Sequence, residues 1–137
     1  MIKAVIPIWI LTAATLGPLC SGSDQPGTPR MHFADAVAGH PFSKDPAVVK
    51  FKGQYWLYYS VPPYASKPST GWTIGVATSD NLVDWAKAGE LRNSGQAEAK
   101  GFTAPGAIVL QERVHLFYQT YGNGKRDAIC HAWSDDG

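Results

Sequence analysis

Between residues 45 and 134 short apolar runs alternate with Gly, Pro, Ser and Asn, and no stretch sustains the 3.6-residue spacing of an amphipathic helix. The pattern predicts strands near 47–51, 55–61, 73–78, 107–110, 114–121 and 128–133, each bounded by turn formers. Lys52-Gly53-Gln54 reads as a hairpin turn, and Gln111-Glu112-Arg113 as a less obvious one. In YWLYYS, both Tyr55, Leu57 and Tyr59 on one face and Trp56 and Tyr58 on the other are apolar or aromatic, so this strand requires cover on both sides.

The runs repeat. DPAVVKFKGQYWLYYS, from Asp45, aligns without a gap on APGAIVLQERVHLFYQ, from Ala104, so that Pro46 falls on Pro105, Phe51 on Leu110 and Tyr59 on Tyr118, each 59 residues on. Downstream, VATSD matches HAWSD, with Ser79 falling on Ser134. Each unit is a hairpin followed by a further strand that ends in Ser-Asp. A repeat of a few short strands covered on both faces predicts propeller blades, whereas a two-sheet sandwich would leave one face of most strands polar.

Propeller closure takes at least four blades, and the chain holds about two: blade 1 over 41–100 and an incomplete blade 2 over 101–137. The expectation is an N-terminal fragment of a longer protein, with wide apolar blade faces that keep it from folding stably alone.

Residues 1–23 stand apart. One lysine, an apolar run of about 16 residues interrupted by Pro7 and Pro18, and small residues at Ser21-Gly22-Ser23 predict a secretory signal, too short for a stable membrane span. The protein is expected to be secreted or periplasmic. Lipidation at Cys20 is the less favoured reading, because Pro18 and Leu19 precede it. Residues 24–40 read as a linker and N-terminal arm. With Cys20 in or beside the signal, Cys130 is left as a buried thiol with no partner for a disulfide.

Charge narrows the function classes. Twelve Lys and Arg against 11 Asp and Glu give a net charge of +1, which excludes the basic footprint of a nucleic-acid binder. His40, His115 and His131 have no metal-site spacing, and GNGK at 122–125 lacks the length and following Ser or Thr of a phosphate loop.

SKDPAVVKFKGQYWLYYS, TSDNLVDW and APGAIVLQERVHLFYQTYG together resemble the N-terminal blades of five-bladed β-propeller glycosidases, nearest in pattern to glycoside hydrolase family 43, over 41–137. Related invertase-like and sialidase-like propellers share the strand pattern. The resemblance implies an all-β, five-bladed propeller that hydrolyses O-glycosidic bonds of a plant or algal polysaccharide or oligosaccharide by inversion. It implies no cofactor, although some relatives hold a structural cation at the propeller axis.

In that family the carboxylate opening the first blade is the general base, and Asp45 occupies its position. The chemistry agrees: an inverting glycosidase needs one carboxylate to deprotonate water and a second carboxyl group to protonate the leaving oxygen. The bland reading makes Asp45 a turn residue before proline. Against it, the second unit has Ala104 at the same place, so the scaffold does not need a carboxylate there. A retaining, invertase-like alternative makes the same Asp the nucleophile, but its signature carries Asn where this chain has Lys44.

The resemblance places the acid and the carboxylate that tunes it in later blades, so this fragment, holding half of a catalytic pair, is expected to be inactive alone. Within this chain Glu98, in the loop before the second unit, is the glutamate that could face the centre as a donor, its other reading being a solvated loop charge. His40, Phe42, Trp72, Phe102 and Thr103 are nominated as carbohydrate contacts because they open inner strands or, for Trp72, could stack on a sugar ring; core or loop roles are the alternative for each. A non-catalytic carbohydrate-binding propeller, or a truncated inactive gene product, is the rival from another class. Oligomeric state is not legible.

Overall fold

The computed structural model describes residues 33, 35, 44–63 and 71–137. The signal segment with Cys20, most of the 24–40 arm, His40 and Phe42 lie outside the described residues.

Among the described residues seven strands form two antiparallel sheets. The first holds β1 (Lys44–Phe51), β2 (Gln54–Val61), β3 (Thr73–Ser79) and β4 (Ala86–Glu90) in chain order; the second holds β5 (Phe102–Leu110), β6 (Arg113–Thr120) and β7 (Ile129–Ser134). All six predicted strands are present. β4 is the addition, since AKAGE has little intrinsic strand preference and takes its conformation from pairing with the edge of β3.

The repeat is carried down to backbone angles. Lys52 and Gly53 turn the first hairpin with φ of 47° and 84°, and Gln111 and Glu112 turn the second with 50° and 59°, both pairs in the left-handed region that a two-residue hairpin requires. Each hairpin also loses register at its proline, between Lys44 and Ala47 and between Thr103 and Gly106, because a residue without an N–H cannot join the ladder. At the ends of β3 and β7, Ser79 Oγ accepts the N–H groups of Asn81 and Leu82, and Ser134 Oγ those of Asp136 and Gly137. The Ser-Asp signature is a turn cap.

The main core lies between the sheets. Phe51, Tyr58, Ile74 and Val76 meet Phe102, Val114, Leu116 and Tyr118, with Trp56, Cys130 and Ala132 packed around them. The opposite face of the first sheet buries Leu57, Tyr59, Val61 and Ala77 beneath Phe33 and Trp85. This is the two-sided cover that YWLYYS calls for.

The contact is head-to-tail. Positions equivalent to Phe51, Trp56, Tyr58, Ile74 and Val76 are Leu110, His115, Phe117, Ile129 and His131, and these occupy the uncovered face of the second sheet. There Ile129 is 72% and Trp133 54% exposed.

Candidate functional site

The site forms where the two bulges lie side by side. Asp45 opens β1 with φ 53°, and Ala104, its equivalent in β5, has the same φ of 53°. An L-residue in this region costs about 1–2 kcal/mol, and Asp tolerates it better than Ala. Since the bulge persists with alanine, it belongs to the scaffold, and the carboxylate at Asp45 is a separate addition.

That carboxylate is held from below and open above. Its side chain is 39% exposed, with Lys44 Nζ at 3.6 Å from Oδ2. Oδ2 also accepts a 2.7 Å hydrogen bond from the hydroxyl of Ser60, which is completely buried on β2. Ser60 Oγ in turn accepts the Thr103 hydroxyl at 2.7 Å and the Ala104 N–H at 2.9 Å, both from the second sheet. Asp45 and Thr103, nominated separately, are thus brought together through a serine that sequence reasoning passed over. The available signal was a small hydroxyl residue closing an aromatic strand, at a position where the second unit has Gln119.

Trp72 reaches the same end of the sheets by close backbone approach. A Cβ on Gly71 would lie 2.0 Å from the Lys100 carbonyl oxygen, so glycine is required there, and the Trp72 carbonyl accepts the Phe102 N–H at 2.9 Å. The Lys44 ammonium sits 4.5 Å from the centre of the Trp72 ring, and Tyr121 meets that ring edge-on. Phe102 is buried against Tyr118, with ring centres 5.6 Å apart, and serves the inter-sheet core.

Glu98 is neither a solvated loop charge nor a suitable acid. It is buried at the end of a 3₁₀ turn, Gln96–Glu98, where it accepts the Tyr118 hydroxyl and the N–H and hydroxyl of Ser94. Burial pushes its pKa up, but those bonds outweigh burial and hold it below the ordinary value of 4.5. Burial and the adjacent Glu98 raise the Tyr118 phenol. A general acid must be protonated at working pH, and Glu98 is held ionised.

The sign of this shift makes the stability of the fold depend on pH. Because the folded pKa of Glu98 is depressed, its contribution is present above 4.5 and is lost as pH falls through the lower folded value. Glu98→Gln should therefore melt below wild type at pH 7, with the gap closing as pH is taken below about 4.5. A gap independent of pH would contradict the assignment.

Two cavities among the described residues lie away from Asp45. A cleft of about 800 Å³ runs between the hairpin turns, lined by Lys50, Lys52, Glu112 and Arg113, and a cavity of about 100 Å³ lies between the sheets beside Tyr58 and Leu116. Neither holds a carboxylate facing a buried hydroxyl network. Among the described residues no three His, Cys, Asp or Glu cluster as a metal site, although His115 and His131 meet at 3.0 Å on the open face. No helix among the described residues is long and apolar enough to cross a membrane.

Residues 40–137 match the family described as Glycosyl hydrolases family 32 N-terminal domain. Among curated proteins, none matches the sequence. Similar solved structures include a family 117 glycoside hydrolase produced by the marine bacterium Zobellia galactanivorans, with 20% identity over 68% of this chain and 35% of that one at a TM-score of 0.53. A GH43 enzyme from Xanthomonas citri complexed with xylose shares 18% identity over 74% of this chain and 31% of that one, at 0.57. Fructan 1-exohydrolase IIa from Cichorium intybus shares 23% over 66% and 18%, at 0.56. The chain thus spans between 18% and 35% of the length of these three. Their shared fold establishes the two sheets as partial blades of a glycosidase-type β-propeller.

Proposed function

The chain belongs to the family of the Glycosyl hydrolases family 32 N-terminal domain, and on that premise we propose that the protein hydrolyses O-glycosidic bonds of a plant or algal polysaccharide or oligosaccharide, with Asp45 as the reacting carboxylate. The observation that carries this reading is the contrast between Asp45 and Ala104: one backbone bulge occurs twice, and a carboxylate anchored on a buried hydroxyl occurs at one of them. The neighbours named for xylose and for fructan point to pentose- and fructose-containing glycans as the first substrates to try. The protein is exported by its first 23 residues, and the reaction requires no cofactor.

In the proposed chemistry Asp45 is the general base. It takes a proton from a water that attacks the anomeric carbon, while a second carboxyl group about 6.5–9.5 Å away protonates the departing oxygen. Glu98, held ionised, is not that second group. An exposed carboxylate oxygen suits the role, because water must reach it. Lys44 beside it and the Trp72 ring beyond supply a cation and an aromatic surface for the sugar.

The test is turnover, by the complete protein, of para-nitrophenyl β-xyloside, para-nitrophenyl α-arabinofuranoside, xylan and inulin, with the anomer released followed by proton NMR. Cleavage with inversion is expected. Retention would make Asp45 the nucleophile, for which the two carboxyl groups stand about 5–5.5 Å apart. Binding of these glycans with no cleavage of any of them would favour the non-catalytic propeller.

A further inference from the structure

We propose that Ser60 is a positioning residue that fixes which oxygen of Asp45 reacts, and that the second sheet, through Thr103 and Ala104, sets the direction of its proton. The inference rests on the reading of Asp45 as the reacting carboxylate.

A serine hydroxyl has one proton to give and two lone pairs to fill. The Ala104 amide can only donate, so its 2.9 Å contact takes one lone pair of Ser60 Oγ. An ionised Asp45 can only accept, so the 2.7 Å contact to Oδ2 takes the single proton of Ser60. The Thr103 hydroxyl, 2.7 Å from Ser60 Oγ, is then left to donate into the remaining lone pair. Every position on Ser60 is occupied and the chain has one polarity: Thr103 to Ser60 to Asp45. Ser60 is wholly buried and Thr103 is 7% exposed, so water cannot readily substitute for either hydroxyl.

Two consequences concern the reaction. Oδ2 is tied to Ser60 and lies beside Lys44, so Oδ1 is the oxygen presented to water and substrate. Two of the groups that orient the carboxylate come from β5, so the geometry of Asp45 depends on how the second sheet seats against the first. The repeat supplies an internal control: at the equivalent bulge the carboxylate is Ala104 and the serine is Gln119, so neither member of the pair is required by the hairpin.

The experiment uses the complete protein that carries these blades and four variants of it: Ser60→Ala, Thr103→Val, Thr103→Ser and, as control, Asp45→Asn. Thr103→Val keeps shape and removes the donor, while Thr103→Ser keeps the donor, so folding and hydrogen bonding are separated. With whichever glycan of the panel is cleaved, Ser60→Ala and Thr103→Val should lower kcat by about tenfold with KM little changed, the scale of a hydrogen bond to a charged group, and Thr103→Ser should restore it. Independently of activity, the Asp45 carboxyl carbon resonance at pH 7 should move in Ser60→Ala and Thr103→Val and stay in place in Thr103→Ser. An unmoved resonance in both Ser60→Ala and Thr103→Val, or Thr103→Val indistinguishable from wild type in kcat, would overturn the positioning role. Asp45→Asn with undiminished cleavage would instead overturn the catalytic reading of Asp45, and the resonance would still decide whether Ser60 orients it.

Discussion

In the complete protein, Asp45→Asn should reduce glycan turnover by about 10²–10⁴-fold, the usual contribution of a positioned general base, while leaving the protein folded. The substitution is close to a pure change of charge. Asparagine tolerates the left-handed backbone at φ 53°, and its side-chain oxygen can still accept the Ser60 hydroxyl. The ion pair to Lys44 is lost, but at 3.6 Å with both side chains well exposed it contributes only about 0–1 kcal/mol. Sugar binding should persist, because the amide fills the same volume and Trp72 is untouched. The measurement is kcat and KM for a cleaved glycan, with the melting temperature as the control for folding. Turnover within a few-fold of wild type would remove Asp45 from the reaction.

Much of this architecture is legible in the sequence because a propeller repeats its registers. Pro46 over Pro105 predicts one event twice, and both hairpins break their ladders there. The apolar faces of YWLYYS likewise announce cover on both sides, and both are covered. What repetition does not encode is harder to read. β4 has no strand-forming composition and exists through its neighbour. Ser60 looks like the polar end of a strand until β5 brings a hydroxyl and an amide to it across the sheet junction. Glu98 reads as a loop charge because nothing in its own segment shows that Tyr118, 20 residues on, will bury and bind it. The resemblance to five-bladed propeller glycosidases is borne out, since residues 40–137 match the family 32 N-terminal domain and a family 43 structure shares the fold.

Gly75→Ala should strongly destabilise the first sheet through a single added methyl group. Tyr59 and Tyr118 are equivalent residues, each opposite the bulge of its hairpin, and each pairs with an equivalent residue of the next strand, Gly75 and Cys130. The two rings nevertheless take different courses. Tyr118 donates to Glu98, whereas Tyr59 lies across Gly75 and donates to the buried Asp35 at 2.9 Å, with Phe33 against its ring. A Cβ on Gly75 would stand 2.3 Å from the Tyr59 ring, which is fully buried. The ring must therefore swing away, giving up the Asp35 hydrogen bond and the Phe33 contact together. Overpacking of this kind costs about 1–3 kcal/mol, and the loss of a hydrogen bond to a charged group adds on the order of 1.5–3 kcal/mol. Removing the ring should relieve the clash, so in a Tyr59→Leu background the further cost of Gly75→Ala should fall below about 1 kcal/mol, a non-additivity that thermal or urea unfolding can measure. Equal costs in the two backgrounds would show that the first sheet does not depend on this ring lying over glycine.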